Sequence, residues 1–278
     1  MHPLPPVALG AYGLALSGAG AAARLLVPAE GWPPVEIVRR CGRSLLDESI
    51  LDADHAQLAL GPNAGVVVER ASRRAVFTLP EPLSDDALVH PYLAPVAGVF
   101  AWWGHREALH AGAFVAGRKV WALIGDKGAG KSSAVAWLAL QGHDVVCDDL
   151  LVVAAGVAFA GPRSIDLRSP TVEHLGAGEL LPQAGSRERW RLRLGAVASE
   201  VPMGGWIELA WGDRIEVAPI PPAERLARLG PHRGLMVAPQ DPVGLLELAA
   251  LPAWTFTRPR EWEALGSAMS ALLGAVDP

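Results

Sequence analysis

Eight residues, Gly125 to Ser132, read G-D-K-G-A-G-K-S, and they constrain the fold more tightly than any other part of the chain. Gly125, Gly128 and Gly130 permit a tight loop whose successive backbone N–H groups turn inward, and such a loop belongs between a strand and the N-terminus of a helix. The flanks agree. "ALHAGAFVAGRKVWALIG" supplies two β-prone runs around Gly117-Arg118 before the loop, and "KSSAVAWLALQG" after it carries strong helix formers, with Val135, Leu138 and Ala139 at helical spacing and Gly142 at the closing position. "DVVCDD" follows, a short apolar run ending in Asp148 and Asp149. The order strand, glycine loop, helix, strand predicts an α/β fold built around a phosphate-binding loop of the Walker A pattern.

The chemistry follows from the residue types. Gly125, Asp126, Lys127, Gly128, Ala129, Gly130, Lys131, Ser132 and Ser133 are the expected nucleotide-binding residues, and ATP with Mg²⁺ is the implied ligand. Loop amides take a β-phosphate, Lys131 reaches the β- and γ-phosphates as a point charge, and the Ser132 hydroxyl is offered to the metal. One carboxylate at the end of the next strand suffices to hold Mg²⁺; a second can orient a nucleophile and accept its proton. Asp148 reads equally well as a metal ligand or as a turn residue. His110 is expected on the strand preceding the loop strand, where a hairpin about Gly117 would return it to the nucleotide end of the sheet. Taken alone, a histidine in an apolar run is more often structural than catalytic.

The remainder of the chain bounds the answer. Its 278 residues suffice for one sizeable core or for a core domain with a smaller companion. A net charge of -5 lacks the basic balance of a nucleic-acid binder. Cys41 and Cys147 form no disulfide framework or zinc motif, which points to a cytoplasmic protein. Residues 3–23 carry no Asp, Glu, Lys or Arg, yet their Ala/Gly composition, early prolines and lack of a basic start suit neither a signal peptide nor a membrane span, and "AYGLALS" is expected to be a first buried strand.

Between Pro33 and Leu79 short β-prone runs alternate with turn residues, and "GVVVER" and "RAVFTL" read as a hairpin about Ala71-Ser72-Arg73. The division expected is a β-rich N-terminal subdomain, 1–95, and a catalytic domain, 96–278. Beyond it, "LLVVAAGVAFAGPRSIDLRSP" suggests strands turning at Gly156, and "HLGAGELLPQAGS" reads as a Gly-rich loop. "SRERWRLRLG" places Arg187, Arg189, Arg191 and Arg193 on one face of a strand, either to grip phosphate oxygens or an acidic segment, or as a solvated face. "PPAERLARLG" and "DPVGLLELAALP" read as short helices, and a closing helix sets Trp262, Leu265, Met269, Leu272 and Val276 on one face.

Residues 109–153, with a His-containing strand, a "GDxGxGKS" loop, a helix ending in "GH" and a strand ending in an Asp pair, resemble the catalytic core of HPr kinase/phosphorylase and HPr-kinase-related enzymes. Some relatives phosphorylate serine in ribosomally made precursor peptides, lasso-peptide precursors included. The resemblance implies an HPr-kinase type of P-loop core, a mixed central sheet with flanking helices. It also implies that Asp149 takes the proton of the acceptor hydroxyl, that Lys131 stabilises the transferring phosphoryl group and that His110 assists near the acceptor. "IDLRS", residues 165–169, is similar to the family's Glu-x-Arg-Gly segment, with Asp166 and Ser169 standing where Glu and Gly are usual, and it implies Asp166 as a further Mg²⁺ ligand. "AYGLALS" and "VHPYLAP" look more like the related kinases than the regulatory domain of HPr kinases proper, so HPr itself is not the expected substrate.

The function implied is an ATP-dependent kinase of Ser/Thr hydroxyls on a peptide or small protein, with no nucleic-acid or membrane partner and with homo-oligomer formation left open. The alternatives are a kinase of small-molecule hydroxyls and a non-catalytic nucleotide-binding regulator.

Overall fold

The computed structural model describes residues 8–181 and 188–277. An eight-stranded sheet occupies the N-terminal part, built from β1 (Leu9–Ala11), β2 (Leu14–Ser17), β3 (Val27–Pro28), β4 (Pro34–Cys41), β5 (Ile50–Leu51), β6 (His55–Gly61), β7 (Ala64–Glu69) and β8 (Arg74–Leu79), in the order β3-β1-β2-β4-β8-β7-β6-β5. "AYGLALS" is therefore not one strand. Tyr12 and Gly13 take φ of 59° and 77°, and two positive-φ residues in succession turn the chain into a tight hairpin whose twist matches its strands. β7 and β8 pair antiparallel across the turn at 70–73, as the sequence pattern predicts.

The connector leads into α1 (Asp85–Ala87), capped by Ser84, and then α2 (Leu93–Trp103). Between them His90, at φ -148° and ψ 124°, interrupts the helical path. The interruption turns its side chain away from the helix line. α2 runs through residue 95, and Val96, Ala97 and Val99 join a core continuous between the N-terminal sheet and the sheet that follows.

That second sheet holds β9 (Glu107–Leu109), β10 (Gly112–Ala116), β11 (Lys119–Ile124), β12 (Val145–Cys147), β13 (Leu151–Ala154) and β14 (Val157–Phe159), with α3 (Lys131–Leu140) between β11 and β12. β15 (Ser164–Leu167), α4 (Ser169–Leu175), β16 (Glu179–Leu180) and β17 (Trp190–Arg193) follow, the three strands forming a small sheet of their own. "HLGAGELLPQAGS" is thus only partly loop, since it holds the end of α4, closed by Gly176, and β16; residues 182–187, Arg187 among them, lie outside the described residues. The chain finishes with β18 (Glu200–Trp211), β19 (Glu216–Pro219), α5 (Pro222–Leu229), α6 (Pro242–Ala250), β20 (Ala253–Arg258) and α7 (Leu265–Val276). Trp262 precedes α7 rather than lying on it, whereas Leu265, Met269, Leu272 and Val276 are buried along one face as expected.

The order β12-β10-β11-β18-β14-β13-β9, with β20 beside β18, makes a mixed sheet in an α/β fold. β11 alternates strictly: Val120, Ala122 and Ile124 enter the core shared with α2, while Trp121 and Leu123 enter a second core with α3 and α7. Burial on both faces explains the continuous apolar run. β10 pairs antiparallel with both β11 and β12, so those two strands run in the same direction. The loop after β11 and the carboxylates after β12 consequently emerge at the same edge. Among the described residues no helix is long and apolar enough to cross a membrane.

Candidate functional site

Gly125, Gly128 and Gly130, with φ of 143°, 90° and 88°, bend the chain from β11 into α3. No side chain caps α3, so the N–H groups of its first turn keep their positive end free for an anion. Lys131 is buried, and its Nζ donates to the carbonyls of Gly125 (2.6 Å) and Asp126 (3.3 Å) rather than to a carboxylate. Burial lowers its pKa, against the pull of Asp148, Asp149 and Asp126. Asp126, Lys127 and Gly128 are exposed along the loop's rim, Ala129 is buried behind it, and the Ser133 hydroxyl is engaged with Thr171 at 3.2 Å.

The two carboxylates part company after β12. The Ser132 hydroxyl donates to Asp148 Oδ1 at 2.9 Å. Desolvation first, and the Asp149 charge second, push Asp148 up to about 7, while the Ser132 hydrogen bond works in the opposite direction. Asp149 has φ of 75°, left-handed backbone that is uncommon for a side-chain-bearing residue. Its carboxylate, 30% exposed, has a histidine at each oxygen: His110 Nδ1 lies 3.4 Å from Oδ1 and His90 Nδ1 lies 3.7 Å from Oδ2. The Nδ1–H of His110 also donates to the Asp149 carbonyl at 2.9 Å, which fixes the tautomer.

His110 reaches this position by a route other than the expected one. It lies in the link between β9 and β10, not on a strand, and its backbone N–H donates to the His232 carbonyl at 2.7 Å. The link joins β9, at one border of the strand order, to β10, next to the other border.

Asp166 is within electrostatic reach of Asp148, but Arg191 engages its carboxylate. Both its oxygens accept from Arg191, at 2.7 Å and 2.9 Å, and Arg191 also donates to Asp86 at 2.6 Å. Of the expected basic face, Arg191 is thus spent on internal carboxylates, because the register of β15 against β17 sets Asp166 directly opposite it, and Arg193 pairs with Glu179.

The sequence did not point to three further neighbours of the loop. Trp211, at the end of β18, donates its indole N–H to the Gly128 carbonyl at 3.2 Å. Arg258, at the end of β20, stacks over the Trp211 ring at 4.2 Å and reaches the Ala129 carbonyl at 3.4 Å. Burial lowers Arg258 to about 10. His232 stands within electrostatic reach of Lys131, Asp126 and Glu208, its pKa lowered mainly by burial.

Ser132 Oγ and Asp148 Oδ1 are hard oxygen donors side by side and fit a magnesium ion. No cluster of three or more His, Cys, Asp or Glu side chains is arranged for metal among the described residues.

No family model matches the chain, and no curated protein matches it. Among solved structures, the Hpr(Ser) kinase/phosphatase from Coxiella burnetii is similar, at 14% identity and a TM-score of 0.31, over 61% of this chain and 97% of that one. The relation is a distant one.

Proposed function

We propose that this chain is a phosphotransferase that uses MgATP and delivers the γ-phosphoryl group to a serine or threonine hydroxyl of a peptide or small protein. One juxtaposition supports the reading above all: a glycine loop with a buried lysine whose ammonium is held by the loop's own carbonyls, and a partly exposed carboxylate at the same sheet edge. Loop amides and the first turn of α3 cradle the phosphates, and Lys131 leaves the Gly125 carbonyl for them. Ser132 and Asp148 would hold Mg²⁺, which when bound would supply positive charge against the phosphate oxygens. Asp149 takes the acceptor's proton as the acceptor oxygen bonds to the γ-phosphorus and the bond to the bridging oxygen breaks. Its carboxylate is 30% exposed, whereas Asp148 is committed to Ser132 by a hydrogen bond. His110 holds Asp149 through both its carbonyl and its carboxylate.

The test pairs titration calorimetry of a non-hydrolysable MgATP analogue with labelled-phosphate transfer to a serine/threonine peptide library. Lys131→Ala should lower transfer by about 10²-fold or more while the fold, judged by circular dichroism, is kept. Absence of nucleotide binding, or binding and transfer indifferent to Lys131→Ala, overturns the reading.

A further inference from the structure

His90 belongs to the N-terminal half of the chain, in the kinked segment Leu88–Tyr92 that joins α1 to α2, yet its ring is delivered to the carboxylate that ends the β12 turn. The kink is what delivers it. A continuous helix through Leu88–Tyr92 would keep residue 90 on the helix line, whereas φ of -148° and ψ of 124° set it in an extended conformation. The side chain is 23% exposed, against 49% for His110, so His90 is the more enclosed of the two imidazoles. Asp166, Asp149, Arg189 and Arg191 are the charged groups that surround it. Asp166 is already bound to Arg191, which leaves Asp149 as the carboxylate free to accept from the His90 ring.

We infer that His90 is a positioning residue for Asp149: together with His110 it forms a two-imidazole cradle, one ring per carboxylate oxygen, that fixes the direction in which the carboxylate faces the acceptor hydroxyl. The inference rests on the reading of Asp149 as the group that takes the acceptor's proton. An aspartate held at one oxygen only can turn about its side-chain bonds, and small misplacements of a reacting group are costly to turnover. The Nδ1 to Oδ2 separation of 3.7 Å is long for a hydrogen bond, as such contacts often are before substrate binds, and a small movement of the Asp149 side chain closes it. The consequence for the whole chain is that the N-terminal half supplies one wall of the acceptor site.

The experiment uses the full chain, wild type and with His90→Ala, His90→Asn or Asp149→Asn, with MgATP turnover to ADP and MgATP-analogue binding measured in parallel. Asn places a side-chain N–H near the position of Nδ1. His90→Ala should lower kcat by up to about 10²-fold with the Kd for the nucleotide analogue unchanged, and His90→Asn should restore most of the loss. Imidazole ¹⁵N resonances supply a readout independent of catalysis: Asp149→Asn should shift the Nδ1 signal of His90, identified by its loss in His90→Asn. Unchanged kcat in His90→Ala, or a fall that His90→Asn does not relieve, overturns the inference while leaving the kinase reading in place if Asp149→Asn abolishes turnover. Failure of the protein to bind nucleotide would instead sink the kinase reading. The contact is then judged by the ¹⁵N signal alone, and a His90 resonance indifferent to Asp149→Asn overturns it.

Discussion

Asp148 and Asp149 are chemically the same residue in two different settings, and pH should tell them apart. Asp148 is enclosed beside Ser132 with the Asp149 charge next to it, and its folded-state pKa rises to about 7. An unfolded aspartate titrates near 4. Between those values the folded protein holds a proton that the unfolded chain releases, so the associated stability is fully present below about pH 4 and lost as pH rises through about 7. Metal-free protein should therefore melt at progressively lower temperature between pH 5 and 8, roughly, and Asp148→Asn should flatten that trend. Equal slopes in thermal scans of the two proteins would refute this account of Asp148. The Asp pair at a strand end was legible in the sequence. Which member faces Ser132 was not, because that depends on the left-handed backbone of Asp149, and no residue type in "DVVCDD" announces it. His110 was legible as a neighbour of the site but not its place between strands, since the link from β9 to β10 carries no turn signature of its own.

The loop from β11 to α3 is an element whose local pattern says nearly everything about its course and little about its support. Glycine spacing is a property of eight consecutive residues, so the bend could be read directly. Trp211 and Arg258 hold the loop's outward carbonyls from 83 and 129 residues away, and no short-range pattern records such contacts. The closeness of that support makes Gly130 the sensitive position. A Cβ there would lie 2.3 Å from Arg258 Nη2 and 3.2 Å from Trp211 Cη2, on a backbone with φ of 88°. Gly130→Ala must either move the arginine or reshape the loop, and a destabilisation of about 1–3 kcal/mol is expected in urea unfolding. Nucleotide-analogue affinity should fall with it, because the inward N–H groups depend on the same backbone. Wild-type stability and affinity in Gly130→Ala would mean that the Trp211–Arg258 support does not constrain the loop.

The halves of the molecule are joined by a core that runs from the N-terminal sheet through α2 into the second sheet, and by polar links such as that of Trp32 with Glu200 at 2.7 Å. Binary patterning made the strands and helices legible, but the way they meet is set by pairs far apart in the chain. Arg191 is the clearest case. From the sequence it was one of a row of arginines on a strand face; in the fold its side chain is 2% exposed and joins Asp166, 1% exposed, to Asp86 of α1, 105 residues away. An ion pair this deep is weak support for stability in itself, since desolvation consumes much of the attraction, but removing one partner strands the other. Arg191→Met should therefore cost about 3–5 kcal/mol, because Asp166 is left as a buried charge without its counter-ion. Arg191→Met combined with Asp166→Asn should recover a large part of that loss, since the deeply buried charge is removed and Asp86, 29% exposed, is left within reach of water. Asp86→Asn should cost less than Arg191→Met, because Asp86 is 29% exposed and water can replace its partner. Urea denaturation of the four proteins decides it. If the double variant is as unstable as Arg191→Met alone, the link between α1 and the small third sheet works through packing of the long side chain rather than through its charge.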